Sequence, residues 1–438
     1  MAIRRTFRLK PTSTQGAART RWAVLAGALF LAFGLSAPTS GEASGALEGP
    51  SPVERLDEVA DLVAEHFYDP DLRGLDWPAL RADHARRIRS GDDPAVVIQD
   101  LLRHLDTSHT RYLTDREPAY YQLLAIFEGF LRESSPELFR QRFGDGPIRY
   151  PGIGLFTEAV DGKMVVAGVL SGAPAAEAGV LRGDVLVAVD GSPYRPVASF
   201  TEVGRPHRLT IERTADGPPL HLDVVPEMLE PATLFLDAMR SGAKAVNVGG
   251  KGVVAYVPVW SYAGKAYHDL LEELILFGGP LSAADALVLD LRGGWGGANP
   301  QYLTLFSRAV PTLTVLPRNA DPRDVDSQWR KPVVALVDGS SRSGKEILAH
   351  GFRRHGIGPV VGGRTAGAVT AGRVFPLMDG SLLYLAVADV RVDGLRLEGV
   401  GVEPDIAVEP ELLHAAGADP QKRRALEEAA GLVRPKAE

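Results

Sequence analysis

Apolar positions recur at helical spacing through the first third of the chain. Leu56, Val59, Leu62, Val63 and Phe67 fall three and four residues apart, as do Val97, Ile98, Leu101, Leu102 and Leu105, which lines each set along one helix face. Pro52 sits where a first helical turn tolerates proline. The pattern predicts a small helical cap that ends in Leu105-Asp106-Thr107-Ser108-His109-Thr110-Arg111-Tyr112, and residues 118–143 form a further helical, aromatic-rich stretch. From about Tyr150 to Pro226 the period shortens to that of strands. Residues 164–169, 185–189, 207–212 and 221–225 read as short β runs, with Gly183-Asp184 and Asp190-Gly191 as turns and one brief helix between Gly172 and Gly179. From about Gly252 to Glu409, strand runs at 253–259, 286–291, 332–337 and 382–390 alternate with helical runs at 267–277 and 345–355. That alternation is the mark of an α/β domain. Residues 412–438 read as a surface helix with a charged, frayed end.

The N-terminus adds a different signal. Arg4, Arg5, Arg8, Lys10, Arg19 and Arg21 precede the apolar run 23–35, which is followed by small residues at 36–44. Basic, apolar and small, in that order, make a secretory signal, so the mature chain is expected outside the cytoplasm, in the periplasm or cell envelope. A run this short falls below the roughly 20 residues that span a bilayer, and an uncleaved anchor is the other reading. Arg4-Arg5 with Phe7 is a faint twin-arginine match and leaves the export route open. Cleavage near Ala43 would remove those six cations and Glu42, moving the formal charge from -7 to -12. So acidic a protein is a poor fit to nucleic acid or anionic lipid, which leaves membrane contact only to an uncleaved N-terminus. The chain thus divides into a signal (1–43), a helical cap (50–145), a β-rich unit (150–227), an α/β domain (228–410) and a tail (411–438).

Composition narrows the chemistry. With 438 residues, 45% hydrophobic and 24% charged, the chain exceeds one ordinary core and reads as globular. It has no cysteine, which removes disulfides, thiol nucleophiles and Cys-based metal sites. No His-Glu-x-x-His or close His/Asp cluster appears, so neither a metal nor another cofactor is expected.

Two strand-to-turn features carry candidate chemistry. In the first, the apolar run 332–337 enters Asp338-Gly339-Ser340-Ser341-Arg342-Ser343-Gly344, and a helix starts close to Ser343. Such a turn lifts a hydroxyl out of the sheet while the helix start aims free N–H groups at it. A hydroxyl that attacks a carbonyl needs this setting, because the oxyanion forms beside those donors. Serines also cap helices, and taken alone that plainer reading holds. In the second feature, the run 286–291 enters Arg292-Gly293-Gly294-Trp295-Gly296-Gly297, four glycines in five positions, which admits close backbone approach. Asp290 and Arg292 are placed to brace it. Lys345 reads as solvated or paired with an acid, since residues two apart face different sides of a helix. Glu346 reads as an early-helix acid favoured by the dipole.

Together these segments resemble the serine peptidase family of the C-terminal processing peptidases and tricorn protease. The resemblance rests on Asp290 to Gly297, Ser341 to Leu348, Val361 to Gly367 and the closing Glu398-Gly-Val-Gly-Val-Glu-Pro-Asp405. It implies an α/β catalytic core of the crotonase and Clp-protease kind, Ser343 as nucleophile, and Gly344 and Gly296 as oxyanion-hole donors. Members with a serine–lysine dyad carry the lysine 25 residues after the serine, where this chain has Ala368. Tricorn-like members instead use a cap histidine and a glutamate, matched here by Ser108-His109 and Glu398. A histidine is suited to that task, since its ordinary pKa lies near neutrality; without the resemblance, His109 reads as a residue stapling a helix end. The 150–227 unit resembles a PDZ domain, with Tyr150-Pro151-Gly152-Ile153-Gly154-Leu155 as its carboxylate-binding loop, so Gly152, Ile153, Gly154 and Leu155 would hold a peptide end. The expected activity is endoproteolysis of unfolded or C-terminally tagged polypeptides, bound through free C-termini. A catalytically silent peptide-binding scaffold is the alternative, suggested by Ala368. A small-molecule esterase would leave the PDZ-like unit without a task.

Overall fold

Ser51 starts the first helix by reciprocal capping: its hydroxyl accepts from the Glu54 N–H at 3.3 Å, and its N–H donates to the Glu54 carboxylate at 2.7 Å. The computed structural model describes residues 50–134, 136–276 and 278–433; the signal segment 1–43 lies outside the described residues. Helix α1 (Pro52–His66) packs Leu56, Val59, Ala60 and Val63 against α2 (Trp77–Arg89) and α3 (Pro94–Arg103), which start at the side-chain caps Asp76 and Asp93. The cap core is not closed by the cap alone. Strand β1 (Arg111–Leu113) pairs antiparallel with the run Leu382–Ala388, Arg111 opposite Tyr384, and Phe375, Leu383 and Leu385 complete the cluster. The strand expected at 382–390 in the α/β sheet therefore belongs to a separate three-stranded sheet with the cap. Helices α4 (Pro118–Ser134) and α5 (Pro136–Phe143) follow.

The β-rich unit begins with β2 (Tyr150–Gly152). Strands β3 (Leu155–Val160), β4 (Lys163–Val169), β5 (Val185–Val189), β6 (Ser192–Pro193), β7 (His207–Glu212) and β8 (Leu220–Val224) form an antiparallel sheet in the order β3-β4-β5-β7-β8, with β6 on β5. The single-turn helix α6 (Pro174–Glu177) adds Ala175 to a core of Ile153, Val166, Phe200, Leu209 and Ile211. Strand β9 (Glu227–Leu229) returns to pair with β2, so entry and exit lie side by side, as in an inserted domain.

After α7 (Pro231–Gly242) come β10 (Lys244–Asn247), β11 (Val253–Pro258), α8 (Lys265–Ile275), β12 (Ala286–Asp290), the hairpin β13 (Leu313–Val315) with β14 (Arg323–Val325), β15 (Val333–Val337), α9 (Gly344–Arg354) and β16 (Val360–Gly362). Then follow β17 (Ala371–Pro376), β18 (Leu382–Ala388), the short pair β19 (Arg391–Val392) and β20 (Leu395–Arg396), β21 (Ile406–Ala407) and α10 (Pro420–Gly431). The central sheet runs β10-β11-β12-β15-β16-β21, parallel from β11 onward with β10 antiparallel at its edge. Every residue of β12 and β15 is buried, because helices cover both faces and a parallel strand then reads as one continuous apolar run. Helices α7, α8 and α9 pack one face. Helix α10 packs the other through Ala425, Ala429 and Ala430. Those small side chains let it lie close to the sheet, where the sequence reading has a surface helix. Among the described residues, no helix is long and apolar enough to cross a membrane.

Because β12 and β15 are parallel neighbours, both end on the same edge of the sheet, and that edge is where open α/β sheets bind ligands. The glycine loop and the serine turn thus meet although about fifty residues separate them. At the end of β12, Arg292 lies between Asp290 (2.8 Å) and Asp419 (2.7 Å), and the Tyr256 hydroxyl donates to Asp290 at 2.7 Å. The expected brace is present, with the C-terminal segment as its third member. Arg292→Met removes the direct ion-pair partner of the buried Asp290 and the partly buried Asp419 and should cost about 3–5 kcal/mol. Denaturant unfolding checks this; a variant within about 1 kcal/mol of wild type would show that solvent reaches the cluster.

Candidate active site

Ser343 stands at the start of α9 in a left-handed backbone, φ 56° and ψ −127°. That conformation is strained for a residue with a Cβ, and the surrounding hydrogen bonds hold it. The Ser343 N–H is shared between Ala368 O at 2.9 Å and the Glu346 carboxylate at 3.1 Å. Glu346 also accepts from Thr365 Oγ1 (2.6 Å) and from the N–H groups of Gly367 (2.7 Å) and Ala368 (2.8 Å). Its buried carboxylate thereby fixes the turn and the facing loop together, more than the dipole-favoured acid of the sequence reading. The two other serines tie the turn to the glycine loop: Ser341 Oγ donates to Leu291 O (3.0 Å), and Ser340 Oγ accepts from the Gly293 N–H (2.7 Å).

Gly296 lies directly against the nucleophile candidate. A Cβ there would sit 2.5 Å from Ser343 Cβ and 3.0 Å from Gly344 N, so only glycine allows this approach. Among the described residues, the N–H groups of Gly296 and Gly344 have no hydrogen-bond partner. The Ser343 N–H is already occupied. Two free amides beside one hydroxyl are what an oxyanion of acyl transfer requires. Trp295 anchors the loop from outside, donating to Gln122 at 2.8 Å, and Gln122 donates to the Tyr150 hydroxyl at 3.3 Å.

The cap delivers the second group. His109, itself left-handed at φ 54°, precedes β1, whose pairing with β18 fixes its direction. Glu398 accepts from the Ser108 N–H (2.7 Å), the Ser108 hydroxyl (2.8 Å) and the Val369 N–H (2.7 Å). A carboxylate only accepts, so the Ser108 hydroxyl proton points to Glu398 and its lone pair faces His109 Nδ1 at 2.8 Å. Nδ1 must then carry the imidazole proton, which leaves Nε2 as the basic nitrogen. Thr370 Oγ1, 3.1 Å from both Ser108 Oγ and His109 Nδ1, completes the set. Burial, with a smaller push from the positive charge of Arg342, takes the His109 pKa down to about 4.

Ser108, His109 and Glu398 thus form one bonded set, and Ser343, Gly296 and Gly344 a second group held together by close approach. No hydrogen bond joins His109 Nε2 to Ser343. The sets meet through three consecutive residues: Ala368 O holds the Ser343 N–H, the Val369 N–H holds Glu398, and Thr370 Oγ1 bonds His109 Nδ1. In the β-rich unit, Gly154 has φ 78° and packs so near Ala173 that a Cβ would lie 2.3 Å from its methyl. The N–H groups of Ile153 and Gly154 have no partner among the described residues, Gly152 ends β2, and Leu155 begins β3, the edge strand.

Sequence reasoning missed the roles of Thr370, Thr365 and Glu346. It also misplaced Lys345, which is neither solvated nor paired with an acid. Lys345 is fully buried and donates to Gly293 O at 2.6 Å, and burial lowers its pKa to about 7. The first turn of α9 sinks beneath the glycine loop, which a helical-wheel argument does not anticipate. Among the described residues, no cluster of His, Asp or Glu could hold a metal ion.

Residues 253–408 match Peptidase family S41, and residues 52–96 match the tricorn protease C1 domain. The α/β domain is thus similar to a peptidase domain, and the cap segment before it to part of tricorn protease. Two tricorn protease homologues of Streptomyces coelicolor are 28% and 29% identical to it over 81% and 85% of the chain, and the chain spans only 30% and 34% of their length. A carboxy-terminal-processing protease of Bartonella bacilliformis is 26% identical over 60% of this chain and 62% of its own. The solved photosystem II D1 C-terminal processing protease aligns with 88% of this chain and 98% of its own at 21% identity and a TM-score of 0.48.

Glu346→Gln would set an amide NH2 against two N–H or O–H donors. It should cost about 2–3 kcal/mol and speed hydrogen exchange at residues 365–368. Unchanged protection there would mean that the loop does not depend on Glu346.

Proposed function

We propose that the chain is an exported serine endopeptidase that hydrolyses peptide bonds of unfolded or C-terminally tagged polypeptides. The observation that carries this reading is the Ser343 side chain, on a strained backbone, beside the two unpartnered amides of Gly296 and Gly344. Ser343 Oγ attacks the scissile carbonyl and His109 Nε2 takes its proton, as substrate closure brings the two within reach; such bonds are often open in a substrate-free site. The oxyanion sits on the Gly296 and Gly344 amides. His109 returns the proton to the leaving amine, and water then resolves the acyl-enzyme by the same route. Ser108 and Glu398 hold the imidazole tautomer throughout.

The fold reading goes with it: a crotonase- and Clp-like core at 228–410, a cap at 50–145 and a PDZ-like unit at 150–227. In that unit Gly152, Ile153, Gly154 and Leu155 would take a substrate's C-terminal carboxylate, with the chain added along the β3 edge. The basic, apolar and small-residue order of 1–43 supports export to the periplasm or cell envelope.

A mass-spectrometric time course on an unfolded protein tests the proposal. Wild type should cleave, and Ser343→Ala should lose about 10⁴-fold or more in rate. The catalytic form of His109 is neutral, so kcat/KM should hold as pH falls to about 5 and drop only near pH 4, where His109 protonates. An acid limb near 6.5 would contradict the partly buried imidazole flanked by Arg342, Tyr384 and the Ser108–Glu398 pair. No cleavage by the wild type would turn the reading toward a tail-binding scaffold.

A further inference from the structure

Arg342, immediately before the nucleophile candidate, carries a charge that Glu346 and Tyr384 favour only through space and that no carboxylate among the described residues pairs with directly. Its Nε is shut off from solvent without a hydrogen-bond partner, and its guanidinium forms no ion pair among the described residues. The one acid whose charge reaches it is committed: Glu346 is saturated by four donors. The remaining groups that share its field are His109, Lys345, Tyr384 and Arg111, of which three are basic and none is an acid. Folding a partly buried guanidinium into such company is unfavourable unless a partner arrives from outside. The fork geometry of a guanidinium fits one partner best, a carboxylate bound through two parallel hydrogen bonds.

We propose that Arg342 docks a carboxylate of the polypeptide substrate beside the scissile bond, making this a peptidase selective for acidic groups at the cut. The proposal rests on the peptidase reading above. Two sources supply such a carboxylate: an Asp or Glu side chain flanking the bond, or the free C-terminus when the cut lies near the chain end. Docking would have a second effect, because a carboxylate on Arg342 cancels the positive charge that helps hold His109 in its weakly basic state.

Matched peptides test this, differing only by Glu or Gln at each position flanking the cut, and by a free or amidated C-terminus. Wild type should favour one acidic form by about 10- to 100-fold in kcat/KM, the worth of one charge-assisted pair. The member of the set that responds identifies the source. In Arg342→Gln that ratio should shrink to about twofold or less, with Arg342→Lys intermediate because it lacks the fork. Wild type that cleaves all the peptides without preference, or a preference that survives Arg342→Gln, overturns the proposal and leaves the peptidase reading intact. The same peptides are also titrated by fluorescence anisotropy onto Ser343→Ala and onto Ser343→Ala/Arg342→Gln, which requires no turnover. Tighter binding of the acidic member only where Arg342 is present supports the docking even if turnover fails, and equal binding of both members sinks it.

Discussion

Ala368, Val369 and Thr370 are the three residues on which the site depends. Their backbone and one hydroxyl hold the Ser343 amide, the Glu398 carboxylate and the His109 ring in succession. The cap also meets the loop before β21 directly, through the two bonds from Ser108 to Glu398. Ala368 stands where the resembled serine–lysine members place their lysine, so a position without a chemical side chain still serves the site through its main chain. Its carbonyl is one of two acceptors that keep Ser343 left-handed, and such backbone strain costs about 1–3 kcal/mol. Glu346, which accepts four hydrogen bonds in a buried setting, is the counterweight.

Parallel pairing explains why this loop meets both partners. β12, β15 and β16 run side by side in one direction, so the glycine loop, the serine turn and the loop after β16 all leave the same edge. The cap reaches that edge only because β1 adds to β18, placing Arg111 opposite Tyr384 and His109 just ahead of them. The histidine is therefore positioned by strand pairing across about 270 residues of sequence. From the cap's own helices, Gln99 of α3 adds one bond, accepting from the Tyr112 N–H at 3.0 Å.

Elements with a strong local period were legible in the sequence. The buried runs of β11, β12 and β15, strands β4, β5, β7 and β8 of the β-rich unit, helix α9 and the two strand-to-turn motifs all follow from spacing and turn chemistry. Non-local pairing was not. Nothing in the apolar run at 382–390 says that it leaves the main sheet for the cap, since period-2 and continuous runs do not name a partner. The alanine face of α10 read as surface because alanines are weak hydrophobic markers, although they permit the closest packing. Lys345 and Glu346 read as ordinary helix-start polar residues, and they are buried by two loops from elsewhere in the chain, Lys345 beneath the glycine loop and Glu346 against residues 365–368. His109 and Glu398 came from resemblance, because their link through Ser108 spans 290 residues.

The most direct measurement is covalent trapping with a small alkyl fluorophosphonate, followed by peptide mapping. Wild type should carry one adduct, on Ser343, formed far more slowly in His109→Ala and absent from Ser343→Ala. An adduct on another serine, or labelling of Ser343 at the same rate without His109, would contradict a histidine-activated nucleophile at this turn.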